Sequence, residues 1–122
     1  MIYYADLIGK PFRYGGRGPD SFDCYGLLKE LYQRDGVEIP DYLSPSDGMR
    51  IAALMASQLH LWEETEDRPG AAIYIKLPRN THVAYSLGDG RFIHCYQQDN
   101  GVCVGNVSDW QNRIIGYYRY VG

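Results

Sequence analysis

The feature that most constrains this chain is a change of period at Gly70. Before it, Leu27, Leu28, Leu31 and Tyr32 recur at helical spacing in a segment that Gly36 ends. After it, short runs rich in β-branched and aromatic residues take over. AAIYIKL (71–77), HVAYSL (82–87), RFIHCY (91–96), GVCV (101–104) and IIGYYRYV (114–121) read as about five strands. Gly88-Asp89-Gly90 joins the second and third with the residues a tight hairpin turn demands. Helices followed by an antiparallel sheet make an α+β domain.

The spacing predicts a first helix over Asp23–Arg34, with Asp20 and Ser21 as capping residues. A second is expected from Ser46 or Asp47 to about Leu59, with a small apolar face. Before the first helix, GKPFRYGGRGPD is an irregular Gly- and Pro-rich loop. Residues 60–69 read as a polar connection in which Glu63, Glu64, Glu66 and Asp67 form a solvated acidic patch. At 122 residues, the chain is read as one domain over 1–122.

Charge and composition exclude several functions. The net charge of −3 provides no basic field for nucleic acid. No apolar run approaches the roughly 18 residues of a membrane span. The start, MIYYADLIGKPF, lacks the basic and apolar regions of a signal peptide, so cytoplasmic synthesis is expected. Three cysteines, Cys24, Cys95 and Cys103, are an odd number without paired spacing. A disulfide framework is therefore not expected, and at least one thiol is free.

Cys24 falls in the first turn of the first predicted helix. Unpaired N–H groups there favour a negative sulfur and can hold an oxyanion during acyl transfer. Thiolates form near helix N-termini, cations or a histidine partner, so an activated thiol is expected here. Gly26 leaves room for a substrate to approach the backbone. Of the three histidines, His82 and His94 lie about equally far from the Gly88-Asp89 turn, which makes them cross-strand neighbours. Two adjacent imidazoles suit a base and the residue that orients it. His60 reads as a surface or structural residue. A metal site is not expected, because the only close Cys/His pair is His94-Cys95, and adjacent strand residues face opposite ways.

In order along the chain, PFRYGG, FDCYGLLKELYQRDGVEIPDY, RPGAAIYI and THVAYSLGDGRFIHC resemble the NlpC-type cell-wall cysteine peptidases. The resemblance implies a papain-like fold, with the cysteine at the N-terminus of a helix packed on an antiparallel sheet. It implies hydrolysis of peptidoglycan stem peptides, often between D-γ-glutamyl and a diamino acid, without a cofactor. Cys24 would be the nucleophile, His82 the general base and His94 the residue holding His82. The Cys24 N–H would donate to the oxyanion, with Tyr14, Asp23 and Tyr25 as the further oxyanion and substrate-binding candidates. Phe12 occupies a position where some members carry the assisting tyrosine. Tyr25 stands where members commonly have Ser or Trp, and Ala71 where many have Asp.

The same motifs, in a bare single domain, resemble phage tail-associated members. That implies a place in a virion, at a tail tip or baseplate, with tail proteins as partners. Two alternatives stand beside an active peptidase. One is a structural tail component with the same fold and little activity. The other is a cysteine-dependent amidase or acyltransferase, because the thioester chemistry is shared.

Overall fold

The computed structural model describes residues 2–41, 59–78 and 81–122. The expected second helix falls almost wholly outside them. Helix α1 spans Cys24–Arg34, and six strands follow: β1 (Trp62–Thr65), β2 (Ala72–Lys76), β3 (Thr81–Gly88), β4 (Arg91–Tyr96), β5 (Gly101–Asn106) and β6 (Ile114–Tyr120). All neighbours run antiparallel in the order β1-β6-β2-β3-β4-β5. A short helix, α2 (Val107–Trp110), lies in the β5–β6 connection.

The sheet has one strand more than expected. The polar run WEET pairs with β6, Trp62 opposite Tyr120 and Glu63 opposite Arg119. The Arg119 Nη2–Glu63 Oε1 distance is 2.8 Å. Part of the expected acidic patch is thus an edge strand, and its charges suit an exposed edge.

The sheet is covered on both faces, which is why β3 is buried from His82 to Gly88. On one face, Leu27, Leu28, Leu31 and Tyr32 of α1 share a core with Val83, Tyr85, Ile93 and Cys95. On the other, Ile73, Ile75, Ala84 and Phe92 pack with Val107, Trp110 and Ile114. The N-terminal arm covers the free side of β5: Gly9 N–H donates to the Val102 carbonyl, and Val102 N–H to the Lys10 carbonyl. The β3–β4 turn has positive φ at Asp89 (54°) and Gly90 (75°), the requirement of a two-residue hairpin.

Candidate active site

The site begins where α1 begins. The chain stays extended through Phe22, which bridges to Phe12 and Arg17, and turns helical only after Asp23. Asp23 is therefore the N-cap, in place of the expected Asp20 and Ser21. Its carboxylate accepts from Gly26 N–H at 2.6 Å, Gly15 N–H at 3.1 Å and Arg17 Nη1 at 2.9 Å. A buried carboxylate needs such partners. Here they also tie the Gly-rich loop to the helix start. Gly26 serves the same tie: a Cβ there would lie 2.0 Å from the Gly16 carbonyl oxygen. The space left by Gly26 is filled by the chain's own loop, not reserved for a substrate.

Cys24 is the first helical residue and is half-buried. Backbone N–H groups of Val83 and Tyr25 meet its sulfur. These contacts and the more distant Arg17 favour a thiolate, but burial and the neighbouring Asp23 oppose it more strongly. The thiol is pushed up to about 11, chiefly by burial. Desolvation of the sulfur thus works against the N–H dipoles that the helix start supplies.

Val83 adjoins His82, and β3 and β4 part company here. Their register runs Tyr85↔Ile93 and Ser86↔Phe92, with a shift before Gly88↔Arg91. Beyond Tyr85, β3 continues to Thr81 against β2, and β4 continues to Tyr96 against β5. At this open end His82 Nε2 and His94 Nδ1 are 2.8 Å apart. That contact leaves Nδ1 as the second nitrogen of His82, on the strand whose next N–H meets Cys24. Both rings are buried, at 4% and 1% exposure. Burial and the adjacent His94 hold His82 well below its usual 6.5. Burial lowers His94 to about 4, opposed by Asp99. Both imidazoles are neutral at pH 7.

An aromatic wall fixes the pair. Trp110 of α2 stacks on His82 at 6.4 Å and meets His94 edge-on at 5.5 Å; Tyr96 stacks on His94 at 5.6 Å. Trp110 escaped the sequence reading. Its only signal was a lone tryptophan in a polar connection.

The other candidates occupy different surroundings. Tyr14 is 51% exposed, and its hydroxyl donates to Gln97 Oε1 at 3.1 Å. Phe12 packs edge-on against it at 5.0 Å. Tyr25 is fully buried, its hydroxyl donates to the Pro40 carbonyl, and Arg17 lies over its ring at 5.8 Å. Asp23 and Tyr25 therefore hold the loop and the helix in place. Cys95 is a core thiol that donates to the Phe22 carbonyl at 3.2 Å. His60 is exposed in a turn before β1.

The model of the NlpC/P60 family matches residues 9–119. The probable endopeptidase p60 of Listeria monocytogenes is 28% identical over 115 residues, covering 92% of this chain and 22% of that protein. Tail tip assembly protein K of Escherichia phage lambda is 25% identical over 122 residues, covering 93% of this chain and 59% of that one. This chain thus spans about a fifth of p60 and less than two thirds of the lambda protein. NlpC2 from Trichomonas vaginalis superposes with a TM-score of 0.69 at 23% identity, over 94% of this chain and 43% of that one. The NlpC/p60 domain of the peptidoglycan hydrolase SagA does so at 0.62 and 27% identity, over 95% and 90%. The chain belongs to the NlpC/P60 family, and its α+β architecture is the papain-like fold of that family.

Proposed function

We propose that this chain is a cysteine endopeptidase cutting peptide stem bonds of bacterial peptidoglycan, with Cys24, His82 and His94 as its catalytic triad. The observation that carries the reading is the convergence at the open end of β3–β4. There a helix-start thiol meets the N–H beside His82, and His94 holds His82 Nε2 at 2.8 Å. Family membership and the likeness to the peptidoglycan hydrolase SagA support a peptidoglycan substrate, and the likeness to the probable endopeptidase p60 supports peptide-bond cleavage.

In this mechanism the resting pair is neutral. His82 Nδ1 takes the Cys24 proton as sulfur attacks the carbonyl carbon, so charge develops only in the transition state. His82 Nε2–H donates to His94 Nδ1 and keeps the accepting lone pair on Nδ1. The oxyanion is held by the Cys24 N–H, with Tyr14 contributing if its hydroxyl leaves Gln97. His82 then returns the proton to the leaving amine, and water hydrolyses the thioester. The scissile bond we assign is that between D-γ-glutamyl and a diamino acid, the one the family resemblance implies.

The likeness to the lambda tail tip protein supports a place in a phage tail tip or baseplate, beside other tail proteins. The half-buried thiol, pushed up by desolvation, favours a second reading, a tail component with little activity until its partners bind. Defined muropeptides incubated with the wild type and with Cys24→Ala, read by mass spectrometry, test the proposal. Fragments from the wild type alone support it, and their masses identify the bond. Equal fragments from both proteins remove Cys24 as nucleophile.

A further inference from the structure

The β4–β5 hairpin brings together three ligating side chains outside the thiol–imidazole contact. His94 and Cys103 are direct cross-strand partners, so both project from the same face. The turn between the strands, Gln97–Asp99, folds Asp99 towards the same spot. His94 Nε2 lies 4.0 Å from Asp99 Oδ2, and the Cys103 sulfur lies 3.8 Å from the same oxygen. All three ligand atoms fall within 4.8 Å of one another.

We propose that His94, Asp99 and Cys103 form a binding site for a zinc-like divalent cation, and that its occupancy switches off the proposed catalytic relay. Nitrogen, carboxylate oxygen and sulfur are the donors zinc prefers. At bond lengths of about 2.0–2.3 Å, tetrahedral ligand atoms sit roughly 3.3–3.6 Å apart. The ligand atoms, up to 4.8 Å apart, need to close by roughly 1.5 Å or less, and Asp99, half-exposed on a turn, is free of the sheet ladder. Water completes the fourth position.

The switch follows from which nitrogen the cation takes. The relay needs the His94 proton on Nε2, where it faces Asp99, so that Nδ1 can accept from His82. A cation on Nε2 displaces that proton. Neutral His94 then carries its proton on Nδ1, received across the 2.8 Å contact from His82 Nε2. His82 in turn is protonated on Nδ1, the nitrogen that must accept from Cys24. The two imidazoles together keep the same number of protons, and binding releases one proton, from the Cys103 thiol. This consequence for catalysis rests on the triad reading above; the site itself does not.

The test uses the full chain carrying Cys24→Ala, which removes the competing thiol of the catalytic centre. Titration with Co²⁺ should show one equivalent bound, with a thiolate-to-cobalt charge-transfer band that Zn²⁺ displaces. Cys103→Ser in the same background should abolish the band, and Asp99→Asn should weaken binding at least tenfold. Long-range ¹H–¹⁵N spectra should show Zn²⁺ moving the His82 proton from Nε2 to Nδ1. No charge-transfer band, or one that survives in a folded Cys103→Ser chain, overturns the site. Binding with an unchanged His82 tautomer overturns the switch. A wild type that binds Zn²⁺ as described but cleaves no muropeptide even when freed of metal by a chelator leaves the site standing and counts against the triad reading instead.

Discussion

The two ends of the β3–β4 hairpin are built on opposite plans. At the turn end, backbone pairing does the work. Ser86 sits opposite Phe92, a shift in register follows, and Asp89 and Gly90 take up the positive φ angles that close the loop. At the open end, side chains replace the ladder. Val83 N–H meets a sulfur from α1, and His82 meets His94 across the gap. Catalytic groups need polar atoms that are unspent on secondary structure, and the splayed end of a hairpin supplies them within a buried scaffold.

That contrast separates the expected effects of mutation. Cys24→Ala should abolish cleavage while the folded chain keeps its midpoint of thermal unfolding, since the sulfur is a small part of the core. His82→Ala should lower kcat by ~10³-fold or more, because both proton transfers depend on it. His94→Asn should lose less than His94→Ala, since an amide oxygen can still accept from His82 Nε2–H. Equal losses in kcat would show that orientation is not what His94 contributes. At the turn end the order reverses: Gly90→Ala should cost about 1 kcal/mol of stability, because its φ of 75° strains a residue with a Cβ, and leave kcat unchanged. Denaturant unfolding beside kinetics reads both halves of the comparison.

Acid should also find the open end first. Both imidazoles are held below 6.5 in the fold, so the unfolded chain binds more protons as pH falls through 6.5. Stability is then lost from pH 6.5 downward, through about 4 for His94, by up to ~1.4 kcal/mol per pH unit for each histidine. His94→Asn should flatten that slope in urea titrations.

What could be read from sequence follows the same division. Helix α1 and strands β2 to β6 were legible, because their apolar periods are long and their turns carry Gly and Asp. β1 was not, since WEET offers one apolar residue and is held by pairing with β6. Nor was α2, as four residues cannot display a helical period. The His82–His94 neighbourhood followed from symmetry about the turn. The true register would set His94 opposite Ala84, so the two rings meet diagonally. The Asp23 cap and the loop under Gly26 depend on how residues 13–22 fold back, which local propensity does not encode. The desolvation of Cys24 was not legible either, because it is set by tertiary packing. The His94–Asp99–Cys103 cluster was invisible to a search for closely spaced ligand pairs, since a strand register brings it together.

The central claim is that a neutral thiol is activated by proton transfer to a neutral His82. Alkylation of Cys24 by iodoacetamide, followed across pH by mass spectrometry of the Cys24 peptide, tests it most directly. A neutral resting pair predicts slow alkylation at pH 7 that climbs towards about 11. Fast alkylation already at its plateau by pH 6 would show a preformed thiolate–imidazolium pair and contradict the claim.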